Sequence, residues 1–419
     1  MKRSLFSRLG PGLITGASDD DPAGIVTYTQ AGAQFGFATL WLAILTTPLM
    51  MAVQEASARI ALTTRKGFFT LAKSILPKAV VYPLVGAFIF GNLFNVAADL
   101  NMMADATKLL IPGNRWVWLV LFAVVTFVAQ LKLSYAQYSR ILRWLVLSLI
   151  GYVGVLAFVD VSWRDVVMAT LIPQGVPSRE FILLVVAVLG TTLSPYLMIW
   201  QGAEELEERK TCEIEASERG GICRVNVQKA LPSLRLDVAI GMVVSNVVFW
   251  CIVVASASTL HAQGITQIET AEQAANVLLP FVGSTATTLF TLGILGTGLL
   301  TIPVLIGASA YALAECCGWK ASLHAKYHEA KAFYWSLGVM MGIALLMNVV
   351  ALPPVRMLIW SGVANAFLAP AFMLILLVLG NRSELLKKQV HSRWSNAGLG
   401  VAFALMSCAL GALIWAYYW

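Results

Sequence analysis

The chain has 419 residues, of which 58% are hydrophobic and 12% are charged, and its net charge is +7. A soluble protein carries roughly 25% charged residues, so this composition excludes a soluble globular protein. Apolar runs of about 20 residues recur along the chain, and such a run spans the hydrocarbon core of a bilayer. The sequence predicts an all-α polytopic membrane protein, because a β-barrel would show short alternating strands instead.

In chain order, the hydropathy pattern predicts eleven transmembrane helices. They cover residues 9–34, 38–58, 79–107, 115–131, 141–160, 182–205, 236–258, 281–314, 332–352, 357–380 and 396–418. The longest polar connection, Glu204 to Leu234, is predicted to be a solvated loop that opens with a solvated helix end at Glu204 to Glu208. Most of the 29 Lys and Arg residues then lie on one side, which the positive-inside rule identifies as cytoplasmic.

This partition of charge predicts a multi-pass membrane protein with a cytoplasmic N-terminus and an external C-terminus, in the cell inner membrane if the source is bacterial. The net charge of +7 is therefore a topology signal and does not indicate a nucleic-acid partner. The expected surroundings are the lipid bilayer, and nothing in the pattern requires more than a monomer.

The first span contains an acidic interruption, Asp19, Asp20 and Asp21, followed by Pro22 and Gly24. Carboxylates inside a bilayer are costly and usually face a cavity in which they have a function. Proline cannot donate a backbone hydrogen bond, and broken backbone at membrane depth needs a cover of protein or water. We predict an ion site on an unwound helix. The alternative for Asp21 is a structural cap of the half-helix after Pro22.

The sixth span carries a second interruption, formed by Gly190, Thr191, Thr192, Ser194 and Pro195. Spans one and six occupy matching positions if spans 1–5 and 6–10 are two inverted repeats. A pair of interrupted helices in corresponding halves points to the binding site of an inverted-repeat transporter. We therefore predict repeats over residues 1–180 and 181–380, broken helices 1 and 6 that meet, and an appended span within 381–419.

The first span, GPGLITGASDDDPAGIVTYTQAGAQFG, resembles that of the Nramp family, proton-linked importers of divalent metals. Further similar segments are QEASARIA at 54–61, NVAADLNM at 95–102 and TTLSP at 191–195. The resemblance covers spans 1–10. It implies a leucine-transporter-type fold of five plus five helices, transport by alternating access, no cofactor, no enzymatic activity and a divalent metal ion as substrate.

Several residues depart from the motifs of that family. Asp21-Pro22-Ala23-Gly24 replaces Asp-Pro-Gly-Asn, and Ser194 replaces the methionine before the sixth-helix proline. Tyr196 and Gln201 stand where the family has histidines. In the third span, Asp99-Leu100-Asn101-Met102 keeps the aspartate of Asp-Leu-x-Glu and loses the glutamate. These departures resemble the magnesium-transporting branch of the family.

Oxygen ligands suit Mg²⁺, Ca²⁺ and Mn²⁺, whereas a thioether selects softer ions. The predicted metal residues are those around the two interruptions: Asp20, Asp21, Ala23, Gly24, Thr191 and Ser194. Asp21 offers a carboxylate, Ser194 a hydroxyl, and Ala23 and Thr191 freed carbonyls. Mg²⁺ keeps several waters and needs only one or two carboxylates, so this set favours a hard, partly hydrated ion with Fe²⁺ as a further possibility.

A polar face of the third span is predicted to line the ion pathway. Asn92, Asn95 and Asp99 are spaced i, i+3 and i+7, and Ser361 and Asn365 of span ten are the predicted partners. The alternative is that the asparagine amides only join neighbouring helices. Loss of the family's titratable chain predicts weak or absent proton coupling, because membrane proton relays consist of Asp, Glu and His.

Two other functions remain open at this stage: a proton-coupled Mn²⁺ or Fe²⁺ importer, and a cation-coupled symporter of a small organic substrate. Three aspartates in the first break would repel a substrate carboxylate, which disfavours an amino-acid substrate. The six cysteines lack metal-ligand spacing and are interpreted as reduced, incidental thiols.

Overall fold

The computed structural model describes residues 10–132, 156–175, 178–218, 227–278, 286–323, 327–350 and 352–418, with a few single positions between them. The regular elements in these ranges are helices. The longer ones, with the two halves of the first span, are Pro11–Asp19 (α1), Pro22–Phe35 (α2), Trp41–Thr64 (α3), Lys78–Leu110 (α4), Arg115–Lys132 (α5), Arg179–Thr192 (α6), Pro195–Glu218 (α7), Val227–Thr259 (α8), Ala286–Cys317 (α9), Lys331–Met347 (α10), Pro354–Gly380 (α11) and Arg393–Tyr418 (α12).

Seven helices in the described ranges are long and apolar enough to cross a membrane. The helices Pro22–Thr39 and Trp41–Thr64 pass the same test only as a pair, which would raise the count to eight, and the chain bends by 105° between them. Because of this bend, we assign the first helix of the pair to predicted span one and the second to predicted span two. The ninth predicted span is α10, an apolar helix of 17 residues. The fifth, residues 141–160, falls mostly outside the described residues. The all-helical multi-pass fold is confirmed, and the repeat boundaries at 180 and 380 stay a prediction.

The first span is broken at the predicted place, because α1 ends at Asp19 and α2 begins at Pro22. Proline is well suited to the first position of a helix, since its missing N–H has no intrahelical partner there. Asp21 adopts an extended backbone and caps α2 with its side chain. Two residues therefore separate two half-helices that point into the same bundle.

The sixth span is broken in the same way. Helix α6 ends at Thr192 and α7 begins at Pro195, which leaves Leu193 and Ser194 between them. The glycine before this break lets α6 lie against α11, because a Cβ atom on Gly190 would approach the carbonyl oxygen of Gly362 to 1.9 Å. Both predicted interruptions are thus confirmed.

Helix α1 packs closely against α8 through three glycines. A Cβ atom on Gly16 would lie 2.3 Å from the carbonyl oxygen of Gly241, and one on Gly241 would lie 2.0 Å from that of Gly12. Close backbone approach through small residues is how helices associate in membranes, where no hydrophobic force acts between them. This contact fixes the first half-helix to span seven.

Replacing Gly241 with alanine is expected to destabilise the protein by about 1–3 kcal/mol, because the added methyl group meets backbone that cannot move aside. Thermal unfolding in detergent, followed by tryptophan fluorescence, measures the change. Gly342→Ala is the matched control, since nothing lies within 4 Å of its added Cβ atom. Alanine is also the better helix former, so the control should be neutral or stabilising. Equal unfolding temperatures for both variants would contradict the packing argument.

The polar segment after span six differs from its prediction. Helix α7 continues to Glu218 instead of giving way to a loop, and Glu204, Glu205 and Glu207 are buried, so a solvated helix end there is wrong. Glu207 accepts hydrogen bonds from Lys210, Tyr311 and Ser322, which explains how packing covers its charge.

The interpretation of all six cysteines as reduced thiols is also wrong. Cys212 and Cys223 form a disulfide, with their Cα atoms 5.8 Å apart. The extension of α7 beyond the membrane segment carries Cys212 to a point that the following chain can reach. Of the remaining cysteines, Cys251 and Cys316 are buried, and Cys317 and Cys408 are exposed.

Candidate metal site

The centre of the site is Asp21, at the break of the first span. Its Oδ1 atom accepts a hydrogen bond from the backbone N–H of Gly24, and its Oδ2 atom accepts one from Asn95 at 3.0 Å. The Oδ1 of Asn95 in turn accepts a hydrogen bond of 2.7 Å from Ser361. Asp21 therefore caps α2, as the structural alternative required, and its second oxygen begins a polar chain through α4 to α11.

The two breaks contact one another directly. The hydroxyl of Tyr196, in the first turn of α7, donates a 2.8 Å hydrogen bond to the carbonyl of Ser18 near the end of α1. The hydroxyl of Thr301 on α9 reaches the same carbonyl at 3.3 Å. Carbonyls in the last turn of a helix have no intrahelical partner. The broken ends of spans one and six therefore share one buried polar region.

The sixth-span residues bring different groups to this region. Ser194 is buried near the Tyr196 hydroxyl, and its own hydroxyl has no well-formed hydrogen bond to the described residues. The hydroxyl of Thr191 donates to the carbonyl of Val188, while its own carbonyl lies in the last turn of α6, where carbonyls are free. A serine hydroxyl and a backbone carbonyl are thus available on this side.

Two predicted first-span residues act through their backbones. Ala23 lies in the first turn of α2, where the groups without intrahelical partners are N–H groups rather than carbonyls. Gly24 allows close approach, because a Cβ atom there would lie 2.9 Å from the carbonyl oxygen of Asp19 and 3.3 Å from Asp21 Oδ1. The roles predicted for both as metal ligands stay predictions.

Three further carboxylates lie around the break. Asp19, Asp20 and Asp99 are each at most 1% exposed. Neither carboxylate oxygen of Asp20 or of Asp99 has a well-formed hydrogen bond to the described residues. The charge of Asp21 acts on that of Asp99, so α4 faces the break with both Asn95 and Asp99. Burial of such groups is costly without a compensating charge or donor.

The other two pathway residues are placed differently. Asn92 turns from the break toward α9, where its amide donates a 2.9 Å hydrogen bond to Ser309. This contact joins two helices, as the alternative interpretation of that residue proposed. Asn365 is buried on α11 and lies against Gly91 of α4, one helical turn before Asn95. Asn95 therefore contacts Asp21 directly, Ser361 is linked to Asp21 through Asn95, and Asn92 contacts Ser309 instead.

A cavity of about 600 Å³ lies at the C-terminal end of α2, which is the end of the first span opposite to α1. It is bounded by the last turns of α2, the first turn of α6, the segment before Ala271 and the first turns of α11. Its polar lining includes Gln30, Gln34, Glu180, Glu269 and Arg356. Ile359, on the wall, precedes Ser361 on α11 by two residues, so the cavity ends within one helical turn of the polar chain along that helix.

Two residues that matter here were missed by sequence analysis. Ser245 on α8 donates a 2.8 Å hydrogen bond to Asp19, and Asp237 on the same helix accepts hydrogen bonds from the backbone of α1. Span seven has no proline or acidic interruption near Ser245 to mark it. Only the charge of Asp237 at the end of an apolar run was a visible signal.

Comparison with known proteins shows the family of the chain. The model of the family described as natural resistance-associated macrophage protein-like, Nramp, matches residues 12–416. The chain belongs to the Nramp family. A Klebsiella pneumoniae relative, the divalent metal cation transporter MntH, is 24% identical over 412 residues, which are 97% of this chain and 93% of the relative. An Aeromonas hydrophila MntH is 26% identical over 298 residues, 70% of this chain and 69% of the relative.

Two solved transporter structures share the fold of this chain. A manganese transporter of Eremococcus coleocola superposes with a TM-score of 0.77 at 14% identity, over 100% of this chain and 96% of that one. Mhp1, a nucleobase-cation-symport-1 family transporter, gives a TM-score of 0.57 at 15% identity, over 97% and 92% of the two chains. These likenesses confirm the leucine-transporter-type fold that the sequence predicted.

Proposed function

We propose that this chain transports hard divalent metal cations, Mg²⁺ or Mn²⁺, across the membrane by alternating access. The observation that carries the proposal is the chain of hydrogen bonds from Asp21 through Asn95 to Ser361 at the break of the first span. It places a carboxylate, an amide and a hydroxyl beside the break of span six. The names of the MntH relatives and membership of the Nramp family support a divalent metal as substrate.

The donor set favours hard ions. Carboxylate, carbonyl, amide and hydroxyl oxygens suit Mg²⁺ and Mn²⁺, whereas sulfur selects softer metals. Ser194 stands at the sixth break without a thioether beside it in sequence, and its hydroxyl has no well-formed hydrogen bond to the described residues. In the described ranges, no three Asp, Glu, His or Cys side chains converge as a metal site. Mg²⁺ fits such a site, because it keeps several waters and needs only one or two carboxylates.

The cavity between α2, α6 and α11 is proposed as the entrance. Glu180 and Glu269 on its wall outnumber Arg356, and an excess of negative charge in a cleft raises the local concentration of cations. The predicted orientation puts this cavity on the outer side and α1 on the inner side. The ion then enters between the half-helices while α1 closes the exit.

Proton coupling is proposed to be weak. Tyr196 and Gln201 are buried on α7, and neither takes up a proton near neutral pH. Of the titratable positions that the family has on the third and sixth helices, this chain keeps Asp99, and a relay needs groups that titrate in turn. The membrane potential supplies the driving force, because a divalent ion gains about 4.6 kcal/mol per 100 mV, twice the single-charge value.

Uptake into proteoliposomes tests this proposal. Mg²⁺, Mn²⁺ and Ca²⁺ are compared at a fixed inside-negative potential, with a pH-sensitive dye in the lumen. We expect saturable uptake, competition among the three ions and little acidification. Uptake that does not saturate would contradict a transporter. Metal-dependent acidification at a fixed proton-to-metal ratio would instead favour a proton-coupled Mn²⁺ or Fe²⁺ importer.

Ser194→Met is expected to shift selectivity toward softer ions. The thioether replaces an oxygen donor and prefers Cd²⁺ over Mg²⁺, so the Cd²⁺-to-Mg²⁺ ratio of uptake should rise by about tenfold or more. The measurement is competition of Cd²⁺ against Mg²⁺ uptake. Ser258→Met, on α8 away from both breaks, is the control for a new methionine. An unchanged ranking of ions in Ser194→Met would show that residue 194 does not face the ion.

A further inference from the structure

The side of the first break that faces α8 holds carboxylate oxygens that the Asp21 site does not use. Ser245 donates to one oxygen of Asp19, and its hydroxyl also lies near the carboxylate of Asp20. The other oxygen of Asp19 and both oxygens of Asp20 have no well-formed hydrogen bond to the described residues. The charge of Asp20 acts on Cys251, further along α8, which places this carboxylate on the same side.

The number of buried carboxylates indicates that Asp19 and Asp20 are more than one ion at the Asp21 site needs. Asp19, Asp20, Asp21 and Asp99 are all buried, and none of the ion pairs formed by the described residues includes any of them. One divalent ion at Asp21 and Asp99 offsets two of the four charges. The two carboxylates that face α8 are then left without a neutralising partner, so that a second cation or protons must neutralise them.

A neighbouring hydroxyl gives independent support for a ligand here. Thr15 lies four residues before Asp19 on α1, so the two side chains share one face of that helix. Thr15 is fully buried, and its hydroxyl lacks a hydrogen-bond partner among the described residues. A buried hydroxyl normally finds a partner, so the hydroxyl of Thr15, on the same helix face as Asp19 and its free Oδ1 atom, favours a ligand on this side of the break.

We infer that Asp19 and Asp20, with Ser245, form a second site for a hard divalent cation on the α8 side of the break. The pair supplies two negative charges, which one divalent ion neutralises. Hydroxyl oxygens and waters complete an oxygen shell of the kind that Mg²⁺ and Mn²⁺ accept. The inference rests on the proposed function only in assigning the Asp21 site its own ion.

The number of bound ions tests the second site. Equilibrium dialysis of the purified protein in detergent, with Mn²⁺ as probe and metal analysis of the protein fraction, gives the ratio of Mn²⁺ to chain. We expect two Mn²⁺ per wild-type chain, one in the double variant Asp19→Asn with Asp20→Asn, and one in Asp21→Asn. Asp105→Asn, at the far end of α4, is the control and should still bind two.

The outcomes separate the second site from the proposed function. One Mn²⁺ in both the wild type and the double variant would overturn the second site, since protons would then neutralise Asp19 and Asp20. Two Mn²⁺ in Asp21→Asn, with one in the double variant, would uphold the second site and overturn the Asp21 site. If the double variant fails to fold, Ser245→Ala replaces it. That variant is expected to lower the binding affinity of one of the two ions by about tenfold. Equal affinities in the wild type and the variant would overturn the site.

Discussion

Asp21→Asn is expected to lower saturable divalent-metal uptake by at least about 100-fold, with the fold intact. The amide keeps the size of the carboxylate and one oxygen for the Gly24 N–H, so the cap of α2 survives. It removes the negative charge, and its new N–H₂ group meets the Asn95 amide, which already donates to this position. Loss of about 3 kcal/mol of ion binding corresponds to roughly 100-fold in affinity.

The measurement is initial uptake of Mn²⁺ into proteoliposomes over a range of concentrations, so that affinity and rate are separated. Asp105→Asn is the matched control, because Asp105 lies on α4, the helix that carries Asn95, but pairs with Arg115 at 3.7 Å, away from the break. Size-exclusion profiles and unfolding temperatures establish that each variant is folded. Wild-type uptake by folded Asp21→Asn would rule out Asp21 as the main ligand.

The two helix breaks could be predicted because their causes are local. Pro22 and Pro195 cannot continue a helix across the residues before them, and each begins the following half-helix. Three successive aspartates in an apolar run cannot be reconciled with a lipid-facing helix. The pairing of the breaks followed from their positions in the two halves of the chain, without any three-dimensional information.

The direction of individual polar side chains could not be predicted. Asn92 and Asn95 share a helix face by spacing, yet Asn92 contacts α9 and Asn95 contacts Asp21. A three-residue step rotates a helix by about 300°, so their side chains diverge enough to meet different neighbours. Which neighbour each one meets depends on the positions of α9 and α11, which are tertiary facts.

Long-range contacts account for the other differences. Ser245 and Asp237 are separated from the first span by more than 200 residues, and no local pattern links them to it. Charged residues at the end of span six suggested solvent, but Tyr311 and Ser322 cover Glu207 from another part of the chain. Cys212 and Cys223 meet because α7 extends farther than its hydropathy indicated.

The N-terminus of α1 is held by a carboxylate from another helix. Asp237 on α8 accepts hydrogen bonds from the backbone N–H groups of Gly10 at 2.8 Å and of Gly12 at 2.7 Å, one on each oxygen. No side chain at the Gly10 cap position satisfies these groups, so Asp237 replaces the missing cap. In the proposed transport cycle, opening toward the predicted inner side requires α1 to leave α8, and both hydrogen bonds must then break.

Asp237→Ala is therefore expected to loosen α1 and shift the protein toward the inward-open state. Hydrogen bonds to charged groups contribute about 1.5–3 kcal/mol each, so losing even one shifts the closed-to-open ratio by roughly 10- to 100-fold. Hydrogen–deuterium exchange should show amides of α1 exchanging faster by a similar factor, while those of α4 stay unchanged. Glu215→Gln, an exposed carboxylate farther along α7, is the matched control. Equal protection of α1 in wild type and Asp237→Ala would mean that the glycine contacts with Gly241 alone hold this half-helix in place.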